Sequence, residues 1–236
     1  MILISSLSLV GYVLTRILGQ ARGAGLTALT GGLASSTAVT LSFAKQAHDK
    51  PQLASALACG ILLAWAAMFA RILVAALNRP LLGHVLVPFL AMGVVVAGFA
   101  ALLYFRGGLV EGGEAKGTLE VRNPFSLTAA AKFAAFFAVV LLAVKIVQED
   151  FAASGFYAVA ALAGLTDVDA IALSMAEFAE AGDTSVTATA IVIAALTNTL
   201  VKCGMAIVLA GLTLGKPLLI ATAAMLLAGL AAALLL

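Results

Sequence analysis

Six stretches of this chain, at about 1–19, 52–77, 81–105, 125–148, 186–212 and 217–236, are apolar over the length needed to cross a bilayer, about 20 residues. In hydrocarbon the backbone has no water to bond with, so such runs must satisfy their own amides, as helices do. Composition agrees: 64% of the 236 residues are hydrophobic and 10% charged, against about 45–50% and 25% in soluble domains. The expectation is an all-α integral membrane protein, multi-pass in the inner (plasma) membrane, with 1–236 forming a single polytopic domain in contact with the lipid bilayer.

Between the spans lie two segments rich in Gly, Ala, Ser and Thr, at about 24–44 and 151–176. They resemble each other. Gly32 aligns with Gly164, Leu33 with Leu165, Leu41 with Leu173, Ser42 with Ser174 and Ala44 with Ala176, an offset of 132 (164 − 32). Ser35 then falls on Asp167 and Thr37 on Asp169. The similarity extends outward, since Arg71 and Lys202 each lie deep in the span that follows its motif, at an offset of 131 (202 − 71). The chain therefore reads as two repeats, 1–105 and 125–236, joined by a polar linker at 106–124 in which 117–121 is a candidate short strand. Gly-interrupted polar segments in matching places of two halves are the best sequence pointer to a transport site.

Topology depends on whether the motif segments cross the membrane. If they are broken or re-entrant, each repeat has three spanning helices and the second repeat is inverted. If they cross, eight spanning helices form parallel repeats. Short cytoplasmic loops are enriched in Lys and Arg. The inverted arrangement puts Arg16, Arg22, Lys45, Lys50, Arg106, Lys116, Arg122 and Lys216 on one side and Arg79 alone on the other. The parallel arrangement divides these residues almost evenly. The inverted arrangement, with both termini outside, is the expectation.

Asp167 and Asp169 lead the candidate residues. A carboxylate at a helix centre in a bilayer costs roughly 2.5–3.5 kcal/mol, so such residues usually mark ion paths, proton relays or internal pairs. In a regular helix residues i and i+2 point about 200° apart, whereas unwinding after Gly164 would let both carboxylates face one cavity. The competing reading makes Asp167 or Thr166 the N-cap of a helix through Ala170–Ala179. Ser35, Ser36 and Thr37 occupy the matching place, where hydroxyls cap a helix, coordinate a cation or present donors to an anion. Arg71 and Lys202 have two readings, as snorkelling side chains or as charge-balancing partners of the aspartates. Asn198 precedes Lys202 by one turn and shares its face; with Thr197 and Thr199 it forms the most polar mid-span cluster. The string Glu180-Ala181-Gly182-Asp183-Thr184-Ser185 reads as a solvated turn before a helix.

Other chemistries find no residues. There is no basic stripe for nucleic acid, no zinc-type spacing, no Gly-Lys-Ser/Thr phosphate loop and no Gly-x-Ser-x-Gly elbow. No histidine stands near a nucleophile, so an enzyme is not expected, and no cofactor beyond a bound cation such as Mg²⁺. Cys59 and Cys203 lie within spans and read as small packing residues. The first span lacks the basic start of a signal peptide and reads as a retained helix.

The strings Gly11-Tyr12-Val13-Leu14, Thr30–Ala38, Asn123-Pro124-Phe125-Ser126-Leu127, Ala163–Ala170 and Thr197–Lys202 occur together in this order. As a set they resemble the uncharacterised membrane domain found C-terminal to MgtC/SapB-type domains, over nearly the whole chain. The resemblance implies an N-terminal MgtC-type domain as a partner absent from this chain, and an association with magnesium-linked membrane proteins. The functional expectation is a transporter or channel for a small inorganic ion. A cation is preferred, Mg²⁺ or another divalent, held by Asp167 and Asp169 as metal ligands, with Ser35, Ser36, Thr37, Thr166 and Asn198 as neutral donors. An anion path using Arg71 and Lys202 is one alternative. A non-transporting regulatory or assembly module is the other. Small-residue surfaces at 204–211 and 221–233 would suit helix packing and a homodimer.

Overall fold

A computed structural model gives the fold and describes residues 24–76, 81–107, 153–166, 168–178 and 184–233, with the isolated helical positions 138 and 142. The spans expected at 1–19 and 125–148, nearly all of the linker with its strand, most of the acidic string and Asp167 lie outside the described residues. The described elements are helices throughout: α1 Ala24–Asp49, a 3-10 turn Pro51–Leu53, α2 Ala54–Ala75, α3 Leu82–Gly107, α4 Ala153–Gly164, α5 Val168–Phe178 and α6 Thr184–Ala233. Among them α2 with its leading turn, α3 and α6 are three helices long and apolar enough to cross a membrane.

With 50 residues, α6 would extend about 75 Å if straight, far beyond the roughly 30 Å of hydrocarbon. It reverses at Gly211, where φ is 72° and ψ −170°. The two arms, 184–210 and 212–233, then lie side by side. A Cβ placed on Gly215 would come 2.7 Å from Ile207 Cγ1, and one on Gly229 would come 3.1 Å from Leu196 Cδ2. Cys203 sits beside Thr222. A straight helix would hold residues 196 and 229 about 50 Å apart. The sequence pattern leaves a gap between the last two spans at 213–216; the turn instead falls at Gly211, with Gly215, Lys216 and Pro217 inside the second arm. The positive φ needs a residue without a Cβ, and Gly211 supplies it.

The two motif segments are broken helices. At Ser35 the backbone of α1 becomes extended, with φ −163° and ψ 104°, and Ser35 Oγ accepts the Ala38 N–H at 3.2 Å, as an N-cap does for the helix that resumes. In the second motif the break lies between the end of α4 at Gly164 and the start of α5 at Val168. Adding the offset of 132 to position 32 gives 164, so the glycines that precede the two breaks occupy matching places.

Each break is preceded by a glycine seated on a long helix. A Cβ on Gly32 would stand 2.6 Å from Ala64 Cα of α2, and one on Gly164 would stand 2.5 Å from the Ala194 carbonyl oxygen of α6. Small residues allow this approach, which is how helices associate where lipid removes the hydrophobic drive. Trp65, Phe69, Phe89, Met92, Ile171 and Met175 fill the space between the helices. The Phe69 and Phe89 rings meet edge to face, with centroids 5.8 Å apart. Trp65 Nε1 donates to Thr40 Oγ1 at 3.0 Å, and that hydroxyl donates to the Ser36 carbonyl at 2.8 Å. This ties the resumed half of α1 to α2. On the outside, Val94, Phe105 and Val208 are 70%, 81% and 84% exposed, an apolar exterior of the kind a bilayer covers.

Candidate functional site

The break of α1, the start of α5, α2 and the first arm of α6 enclose a cavity of about 230 Å³. Ser35, Ser36, Thr37, Arg71, Thr166, Asp169, Asn198 and Lys202 line it, with Ala34, Met68 and Val168 completing the wall. Eight of the nine residues singled out from the sequence thus meet in one place, and the ninth, Asp167, lies outside the described residues.

Arg71 and Lys202 do not snorkel. They are 4% and 1% exposed, in the interior. Arg71 Nη2 donates to Asp169 Oδ2 at 2.5 Å. Its Nη1 donates to the Leu33 carbonyl at 2.9 Å and, at the edge of bonding distance, to that of Ala34 at 3.5 Å. Leu33 and Ala34 end the first half of α1, where helix carbonyls lose their intrahelical partners. One guanidinium therefore closes a helix end in the first motif and holds the carboxylate of the second. Asp169 also sits in the first turn of α5, where a negative charge favours the helix dipole.

Lys202 makes the opposite crossing. From α6 its Nζ donates to Ser36 Oγ at 2.8 Å in the first motif and approaches Met68 Sδ of α2 at 3.0 Å. Asn198, one turn earlier and on the same face, donates from Nδ2 to the Gly164 carbonyl at 2.9 Å, closing the end of α4. Because that bond requires the amide nitrogen, the other end of the side chain is Oδ1, which is buried with no hydrogen-bond partner. Asn198 itself is 3% exposed.

Thr166 departs from its cap reading. The hydroxyl donates back to the Ala163 carbonyl at 2.9 Å, so it finishes α4 rather than starting α5, which begins at Val168. The physical reason is position: Thr166 lies within the turn that follows α4, within reach of that helix's last carbonyls. Ser35 does cap a helix and also lines the cavity, so its two readings coexist. Thr37 lines the cavity half-buried.

Sequence reasoning missed three contributors. Met68 lies one turn before Arg71 on α2, and helical spacing could have found it. The carbonyls of Leu33 and Ala34 carry no side-chain signal. The helix backbones at Ala64 and Ala194 are identified only by what Gly32 and Gly164 touch. As a metal site the lining offers oxygen donors in Asp169, Asn198 and the hydroxyls, the type a hard cation takes. Among the described residues no three of His, Cys, Asp or Glu come together, and the Asp169 carboxylate is engaged by Arg71.

An uncharacterised protein of Aquifex aeolicus (strain VF5) is similar to this chain, 30% identical over 187 residues that cover 78% of this chain and 80% of that protein. No solved structure matches. The family described as a domain of unknown function, DUF4010, matches residues 2–210, and the chain belongs to that family.

Proposed function

We propose that the protein is a membrane transporter or channel for a small inorganic ion, and that the ion passes through the cavity between the two broken helices. One observation carries this reading: ionisable and polar residues singled out from the sequence converge on one cavity of about 230 Å³. Intramembrane ionisable groups that face an enclosed polar space are the usual furniture of ion and proton paths. Unwound backbone at membrane depth is tolerated where it lines such a space. The breaks at matching places support two inverted repeats of three spanning helices each, a plan that puts a transport site at the repeat interface.

The Mg²⁺ or divalent-cation form of this reading rests on Asp167 and Asp169, on the Asn198 Oδ1 acceptor, and on the resemblance of the sequence motifs to a domain that follows MgtC/SapB-type domains. A second reading, a non-transporting regulatory or assembly module, is favoured by the crossed bonds of Arg71 and Lys202, which would equally serve as an internal brace. A homodimer is compatible with either.

The test is flux into liposomes holding the purified protein, screened over cations, anions and protons, beside Asp167→Asn/Asp169→Asn and Lys202→Met variants. The transport reading expects flux of one ion that is lost in variants whose circular dichroism shows them folded. Absence of any flux from folded wild-type protein moves the assignment to the regulatory module.

A further inference from the structure

We infer that two buried bonds, Arg71 to Asp169 and Lys202 to Ser36, are latches between the repeats, and that each must open to expose the cavity to one face of the membrane. The inference rests on the inverted-repeat plan of the proposed transporter and deepens it by naming the contacts that gate its site.

The bonds around the two breaks follow one rule. In each repeat the long helix after the motif closes the first half of its own motif and grips the second half of the other. From α2, Arg71 Nη1 donates to the Leu33 carbonyl at the end of the first half of α1, and Nη2 donates to Asp169 in the first turn of α5. From α6, Asn198 donates to the Gly164 carbonyl at the end of α4, and Lys202, one turn on, donates to Ser36 where α1 resumes. The partners also correspond in sequence. Arg71 and Lys202 are 131 apart (202 − 71), and Ser36 and Asp169 are 133 apart (169 − 36). Both offsets fall within one residue of the 132 that relates the motifs, so the two crossing bonds are images of each other.

Inverted repeats are related by an axis in the membrane plane, and such an axis exchanges the two faces of the membrane. Contacts related by it therefore stand toward opposite faces. Their order along the helices agrees. Arg71 meets Leu33 and Ala34 before the break of α1, and Lys202 meets Ser36 after it. On α2, Lys202 comes beside Met68, one turn before Arg71.

The four latch residues are buried and all line the cavity. A latch that parts leaves a charged group in need of a new partner, and the cavity is where water or an ion would supply one. The repeats also meet through apolar packing, away from that lining. A Cβ on Gly229 of α6 would come 2.8 Å from Met92 Sδ of α3. Such a contact strands no polar group when it slides, and a methionine adapts readily to a changed surface. Polar latches at the cavity and an apolar pivot beside it suit the rocking of one repeat against the other.

The test reads access to the cavity from each face. Thr37, half-buried on the lining, is changed to cysteine in the full chain, after Cys59→Ala and Cys203→Ala remove the buried thiols. Membrane vesicles of the two opposite orientations are exposed to a charged methanethiosulfonate reagent that does not cross lipid, and labelling is followed beside ion flux. The latched protein is expected to label slowly from both faces. Ser36→Ala is expected to speed labelling from one face and Asp169→Asn from the other, because labelling follows the population of the opened form. Each acceleration should be about 10- to 100-fold, the worth of a hydrogen bond to a charged group. Ser36→Thr keeps the hydroxyl and is expected to label as slowly as the parent, which separates a lost latch from a disturbed helix start. Any other pattern overturns the latches, whether acceleration from the same face, from both faces, in one variant alone or in neither, or fast labelling before either change. Unchanged labelling beside measurable ion flux overturns them and leaves the transport reading standing. Opposite-face labelling without flux of any ion upholds them and overturns transport.

Discussion

Removing one partner of the Arg71–Asp169 pair should cost far more than removing both. The guanidinium is 4% exposed and the aspartate side chain 12%, so each substitution strands a charge that water reaches poorly. Breaking a buried pair from one side costs about 3–5 kcal/mol. Asp169→Leu leaves Arg71 its bonds to the carbonyls of Leu33 and Ala34, which places the loss near 3 kcal/mol on that scale. Arg71→Met strands the carboxylate and opens the end of the first half of α1 as well, so its loss belongs near 5 kcal/mol. The double variant strands no charge and forfeits two helix-end bonds at about 1 kcal/mol each, for a loss near 2 kcal/mol. The double variant is thus expected to be more stable than either single one. Unfolding in detergent micelles, followed by helical circular dichroism over a denaturant series, gives the four free energies of the cycle. Additive losses, or single variants within about 0.5 kcal/mol of wild type as for ordinary surface positions, would show that the pair is not a buried brace and refute the electrostatic account of the site.

Other predictions follow from the packing. Gly32→Ala and Gly164→Ala press a methyl group onto the backbone at Ala64 and Ala194, and each is expected to lower stability in the same unfolding assay by about 1–3 kcal/mol, as overpacking does. Gly211→Ala meets no neighbouring atom but must hold φ at 72°, so backbone strain of about 1–3 kcal/mol is its whole cost. Gly204→Ala, also with open space around it and within the regular helix of the first arm, is expected to stabilise by roughly 0.5–1 kcal/mol; equal effects at the two positions would remove the hairpin at residue 211. Cys59 and Cys203 are buried free thiols, so a maleimide probe is expected to label them only after unfolding, and labelling of Cys203 in the folded protein would contradict the apposition of the two α6 arms.

The sequence alone determined that the chain lives in a membrane as helices, because apolar runs of spanning length leave the backbone no other described solution here. It also marked Asp169, Arg71, Lys202 and Asn198 as costly in hydrocarbon, and these line one cavity in the structure. Bond partners were not legible. Whether Arg71 snorkels or crosses to Asp169, and whether Thr166 begins one helix or ends another, depends on which helix ends arrive beside them, and no local pattern carries that information. The reversal at Gly211 was hidden for a related reason: Gly204, Gly211 and Gly215 look alike in an apolar run, and only the pairing of residues 207 with 215 and 196 with 229 selects the one that turns. Local costs are written residue by residue. The distances over which those costs are relieved, from 71 to 169 and from 202 to 36, exist only once the helices are packed.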